Sequence, residues 1–521
     1  MAKFHLSKKS LLIIIIAVSS VIVLAGITVG SVYLAGYVDT QNQKKAVIIL
    51  PGLFASGLYD EATGADVWDP FTMYDIRFTD IANSDKGMDL NLILDLAKTK
   101  EFDEQFYDIA NNTGKSFLSL VGMNEDGTPI HPSIKPVPFE SSSRLRYGVI
   151  NAHREMYETL QAEYGASHKV EVFNYDFRLD NRASAKALED HINAKKYKEV
   201  ILVSHSNGGA VADCYIARSK ANRDKVKLNV SISSPHLGAF SALTILENID
   251  GYLDSAKVMI STFPSFLADN LLDIVDTAFE TQFKSLANMW AVYQMLPSFE
   301  LLNSQQYRTE YRRKIYGLYG NGSGRQTFSS VDRQDAMLVI DGKDYKFKNR
   351  DELFDFYCSR PWAKMSNGQI KPQLASLKDY WDSMYAKDED GERVHATELV
   401  DTRYLCGVGY RSVYVVGFEG DGEGGGKLAY DANGKLQYTG DGDLEYTGYG
   451  NKYTEQSDGT VLLYSATAGT FDYNRITILP YTDHYEAGQA FNAFTAPTVL
   501  PMINAVLTGW DRFLIDTWGE K

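Results

Sequence analysis

Between residues 44 and about 235 the chain alternates short, mainly apolar runs with amphipathic segments. This alternation constrains the fold more than any other feature. The runs are AVIIL (46–50), VEVF (170–173), VILV (200–203) and LNVSI (228–232). They are short and rich in β-branched residues, so each reads as a strand buried on both faces. Between the runs, RYGVINAHREMYETLQAEYG sets Val149, Met156, Tyr157, Leu160 and Tyr164 near helical spacing, and Gly165 closes it. NRASAKALEDHINAKKY reads as a second helix with Asn181 as its N-cap, and NGGAVADCYIARSKANR as a third. Strands and helices in this order predict an α/β fold, a mainly parallel sheet with helices on both faces.

The pattern then changes. Residues 239–410 are rich in aromatic and apolar helical pieces and read as a cap inserted into the sheet domain. RSVYVVGFE is expected to resume the sheet, and RITILPY to end it before a last amphipathic helix. GGKLAYDANGKLQYTGDGDLEYTG holds three similar units. Asn433-Gly434 and Asp441-Gly442 are hairpin-turn dipeptides, so a small β-meander is expected within 420–457. The acidic Asp421-Gly422-Glu423 and Asp441-Gly442-Asp443 stretches lack the ligand order of a calcium loop. With 44% hydrophobic residues the chain has ample material for a core. One catalytic domain over 44–521 accommodates everything, with inserts at 59–145, 239–410 and 420–457.

Residues 1–43 are different in kind. Lys3, His5, Lys8 and Lys9 precede an uncharged run from Leu11 to Val38. About 20 apolar residues cross a bilayer, and a cleaved signal core is shorter. The run is expected to be a transmembrane signal anchor, with the lysines inside and the bulk of the chain on the extracytoplasmic side. Cleavage after Ala25 and secretion is the alternative. The formal net charge of -15 argues against a nucleic-acid partner. Cys214, Cys358 and Cys406 are the only cysteines and have no metal-ligand spacing, so no cysteine metal site and no cofactor is expected.

ILVSHSNGG, residues 201–209, ends a buried strand on polar and small residues and leads into a helix. A serine held out on such a turn is a nucleophile elbow, and its base and acid follow later in the chain. Ser206 is the candidate nucleophile, with Ser204 standing where the usual first glycine would be and Gly208 in the second place. His395 and His484 are the only histidines beyond residue 236. His484 directly follows the last strand run, where a base belongs. Asp458, in the Asp458-Gly459-Thr460 turn, is the candidate acid, with Glu419, Asp421 and Asp483 as rivals. Oxyanion donors would be the N–H groups of Asn207 and of Leu53, with Phe54 as the next choice.

VIILPGL, VWDPF, NYDFRLDN, VSHSNGG, SISSPHLGA, LPSFELL, SDGTVLLYSA and DHYEAG occur in this order. Together they resemble the lecithin:cholesterol acyltransferase family of α/β-hydrolases. The resemblance implies an α/β-hydrolase fold and Ser206, Asp458 and His484 as a catalytic triad. It implies Leu53 and Asn207 as oxyanion donors, and Trp68 and Phe54 as lid or substrate residues. It also implies a structural role for Tyr175-Asp176-Phe177-Arg178. The activity it implies is acyl-ester chemistry on lipids through an acyl-enzyme, as a lipase, a phospholipase or an O-acyltransferase. A serine esterase for a non-lipid ester and a non-catalytic surface protein are the alternatives.

Overall fold

The central sheet has six strands: β1 (Lys45–Leu50), β2 (Lys169–Val172), β3 (Glu199–His205), β4 (Val226–Ile232), β5 (Thr402–Val408) and β6 (Ile476–Pro480). They come from a computed structural model that describes residues 44–68, 117–138, 151–249, 284–302, 338–420, 426–440, 443–447, 451–454, 456–470, 472–480 and 482–484. The order across the sheet is β6-β5-β4-β3-β1-β2, and every neighbouring pair is parallel. Val47 pairs with Val170 on one side and Ile201 on the other. The strand order therefore reverses around β1, which is where open parallel sheets place their sites.

The mainly apolar runs follow from burial on both faces. Ala46, Ile48 and Leu50 of β1 share a core with Leu188, Ile192, Val211 and Tyr215. Val47 and Ile49 point the other way, into a core with Met156, Leu160 and Tyr164. Those partners lie on α1 (Asn151–Tyr164), α2 (Asn181–Ala194) and α3 (Asn207–Arg218). Each such side chain contributes about 1.5–3 kcal/mol when fully buried.

Three local expectations are corrected. The N-cap of α2 is Asp180, not Asn181: Asp180 is extended and its side chain accepts from the Arg182 N–H. Asn181 is already helical, and its side chain is engaged elsewhere. The strand that resumes the sheet is Thr402–Val408, not the run at Ser412–Glu419. The latter pairs with Leu338–Ile340 in a separate five-stranded sheet. Two β-rich runs lie back to back here, and only Thr402–Val408 reaches β4. Finally, Leu428–Tyr430 and Leu436–Tyr438 form a two-stranded hairpin, while Glu445–Tyr446 joins Phe418 and Glu419 instead of a third meander strand.

Cys214, Cys358 and Cys406 are all free thiols. The Leu11–Val38 run and the expected last helix lie outside the described residues. Among the described residues no helix is long and apolar enough to cross a membrane.

Candidate active site

Ser206 stands alone between the last residue of β3 and the first of α3. Its φ of 53° and ψ of -129° are unusual for a residue with a side chain. Such backbone costs about 1–3 kcal/mol and persists only where the surroundings enforce it. Here the Ser206 N–H donates to the Ile232 carbonyl at 3.0 Å, and the Ser206 carbonyl accepts from Gly209 at 3.0 Å. The glycines are needed for close approach. A Cβ on Gly208 would collide with the Leu50 carbonyl, and one on Gly209 with the Ser234 side chain. Ser204, in place of a glycine, is fully buried and its hydroxyl donates to the Val230 carbonyl.

Ser206 Oγ lies 2.8 Å from His484 Nε2. His484 Nδ1 lies 2.7 Å from Asp458 Oδ2. The Asp458 carbonyl also accepts from the His484 N–H at 2.9 Å, so Asp458 holds both the ring and the backbone of His484. The other carboxylate oxygen accepts from the N–H groups of Thr460 and Val461 at 3.0 and 2.8 Å. Asp458 is buried, while 19% of the His484 side chain is exposed. Burial pulls the His484 pKa down, but the charge of Asp458, its hydrogen bond and the charge of Asp483 outweigh it, so the imidazole titrates above its ordinary value.

Asp458 reaches this place by a long excursion. Tyr410, just beyond β5, bridges to Asp458 in parallel. Gly407 lies so close that a Cβ there would sit 2.9 Å from Asp458 Cβ. Asp458 therefore sits at the end of β5, although the chain first leaves to build part of a second sheet. Of the rivals, Glu419 lies in that second sheet, Asp483 bears on His484 through its charge, and Asp421 is outside the described residues. His395 is buried at a separate cluster with Asp213 and His236.

The Pro51–Phe54 loop lies against the serine. A Cβ on Gly52 would meet Ser206 Cβ at 3.0 Å and Oγ at 3.5 Å. Phe54 adopts a left-handed φ of 60°, and its carbonyl accepts from Trp68 Nε1 at 2.8 Å. The rings of Phe54, Trp68 and Phe177 pack together. Trp68 is 6% exposed and braces this loop through those contacts. No hydrogen bond among the described residues engages the Leu53 N–H. Asn207 opens α3, so its N–H has no acceptor within the helix.

Side chains tie the Pro51–Phe54 loop and the start of α3 together. Tyr175 donates to the Pro51 carbonyl at 2.7 Å and accepts from Asn207 Nδ2 at 3.2 Å. Asn207 and Asn181 exchange two amide hydrogen bonds of 3.0 Å each. Below, Arg178 grips Asp176 through two bonds of 2.8 Å and reaches the carbonyl of Ile134. Asn181 was visible in the sequence only as a cap. Its pairing with Asn207 needs the fold. His205 was likewise missed as a participant: its Nε2 donates to the His484 carbonyl at 2.9 Å, and its ring lies between those of His484 and His153.

A family model described as a PGAP1-like alpha/beta domain matches residues 159–251. That stretch contains β2, β3, β4, α2, α3 and Ser206. The chain has the α/β-hydrolase fold. A chain of the crystal structure of the Tle4-Tli4 complex is similar at 12% identity, over 87% of this chain and 96% of that one, with a TM-score of 0.44. No curated protein matches the sequence.

Proposed function

We propose that this α/β-hydrolase is a serine-dependent lipid acyl-ester enzyme of the lecithin:cholesterol acyltransferase type, working through an acyl-enzyme on Ser206. The observation that carries the reading is the hydrogen-bonded line from Ser206 Oγ through His484 to Asp458, at 2.8 and 2.7 Å. In this reading Ser206 Oγ attacks the ester carbonyl as its proton moves to His484 Nε2. The N–H groups of Asn207 and Leu53 stabilise the developing oxyanion. Collapse expels the alcohol, which takes the proton from His484, and leaves the acyl group on Ser206. Water then gives a free fatty acid, or a second alcohol gives a new ester. Lipid as the substrate class is supported by the motif resemblance. An N-terminal anchor at Leu11–Val38, with the domain extracytoplasmic, would hold the site beside a bilayer.

The test presents the full chain and its Ser206→Ala variant with vesicles of phospholipid, diacylglycerol and sterol, and follows every acyl chain by mass spectrometry. Free fatty acid from the parent alone makes it a lipase or phospholipase. A new ester from the parent alone makes it an acyltransferase. Equal turnover by both overturns the role of Ser206. Turnover confined to short soluble esters overturns the lipid reading and favours a serine esterase.

A further inference from the structure

A second cluster of reactive side chains lies away from Ser206. Asp213 on α3, His236 in the loop after β4 and His395 before β5 bring one potential ligand atom each to within 4.8 Å of the others. Asp213 and His236 have no solvent exposure and His395 has 6%. The geometry points to a buried zinc site formed by Asp213, His236 and His395.

The outer contacts are those such a site needs. A ligating imidazole binds the metal through one nitrogen and donates from the other to a fixed acceptor. His236 Nε2 lies 2.7 Å from Ser231 Oγ, which leaves Nδ1 facing Asp213 Oδ2 at 2.5 Å. His395 Nδ1 lies 2.8 Å from Thr397 Oγ1 and also accepts from the Thr397 N–H at 3.3 Å, a longer contact that gives way when Nδ1 donates to Oγ1. That leaves His395 Nε2 facing Asp213 Oδ2 at 3.7 Å. Among the described residues, His395 Nε2 and Asp213 Oδ1 are buried without a hydrogen-bond partner. A buried carboxylate and a buried imidazole edge left in this state are costly, and a divalent cation between them removes both deficits.

Two imidazoles and one carboxylate suit zinc, with water as the fourth ligand of a tetrahedral site. With Nδ1 on the metal, Nε2 carries the ring hydrogen and donates to Ser231 Oγ. The His236–Asp213 contact opens as the metal enters. The metal ties the helix that begins beside Ser206 to the segment that leads back into β5. Its role is structural, because an ester cannot reach it. Ser231, His236 and Asp213 also mimic a triad, and the same burial withholds them from substrate.

The test measures metal content of the full chain by inductively coupled plasma mass spectrometry, before and after dialysis against a tight chelator, with the melting temperature followed in parallel. About one zinc per chain, a lower melting temperature after chelation and recovery on adding zinc alone are expected. His395→Gln and Asp213→Asn should each lose the metal, while Ser206→Ala should keep it. Cobalt substitution should give the visible absorption of a four-coordinate site, a readout independent of whether the variants fold well. A chain that holds no zinc and whose melting temperature responds to neither chelator nor added zinc overturns the site. So does zinc retained in full by both His395→Gln and Asp213→Asn.

Discussion

Asn181 and Asn207 face each other across the start of two helices and exchange two side-chain amide hydrogen bonds of 3.0 Å. Neither residue can turn without breaking the pair. Asn207 also carries one of the two N–H groups proposed to bind the oxyanion, and Tyr175 links its side chain to the Pro51 carbonyl. One network therefore sets the spacing of both donors.

Breaking that network should cost rate more than binding. Asn181→Ala and Tyr175→Phe should each lower kcat about 10- to 100-fold, less than the roughly 2.7–4 kcal/mol lost when an oxyanion donor is removed outright, because they only displace it. KM should change less than threefold. Loss of the buried hydrogen bonds should also destabilise each variant by about 1–3 kcal/mol. Steady-state kinetics with chemical denaturation separates the two effects.

Gly52→Ala places a methyl 3.0 Å from Ser206 Cβ, a contact that can be relieved by shifting the loop. The fold should survive and kcat/KM should fall at least tenfold. Gly208→Ala meets the rigid Leu50 carbonyl instead, and should lower stability by about 1–3 kcal/mol or more. Melting curves beside kinetics on the two variants distinguish a misplaced loop from a strained core.

The sequence made the alternation of β1 to β4 legible because those strands are buried on both faces and are dominated by β-branched and aliphatic residues, with only Glu171, Lys227, Asn229 and Ser231 interrupting β2 and β4. Ser206, Asp458 and His484 were legible as candidates from local turn chemistry. The network was not, since Tyr175, Asn181 and Asn207 are joined by packing of separate elements and not by spacing. The same holds for Asp213, His236 and His395, whose ligand-like approach depends on β5 following a long insertion. The Thr402–Val408 strand was missed because a second β-rich run follows it at once, and propensity cannot say which of two strands joins a given sheet.

Activity should depend on pH through His484. The base must be neutral to accept the Ser206 proton, and its pKa is held above the ordinary value against burial mainly by Asp458. The acid limb of kcat/KM should therefore lie above pH 6.5. Asp458→Asn removes the charge, so the limb should move to lower pH while the plateau falls by about 10⁴-fold. A limb that stays in place would assign it to another group.

His153 is fully buried and its pKa is depressed to about 3 by that burial. Unfolding lets it take up a proton. Its contribution is present in full above the unfolded pKa near 6.5 and is lost as pH falls toward 3. Stability should decline by about 1.4 kcal/mol per pH unit from this residue across that window. Urea titrations from pH 7 to 4 should show a shallower decline in His153→Gln than in the parent.

The most direct measurement is covalent. A fluorophosphonate probe phosphonylates a serine only where a base activates it and solvent can reach it. Incubated with the full chain and digested for mass spectrometry, it should leave one adduct, on the peptide carrying Ser206. Labelling should vanish in Ser206→Ala and fall steeply in His484→Ala. A parent chain that takes no probe, or a Ser206→Ala variant labelled as well as the parent, would contradict the account.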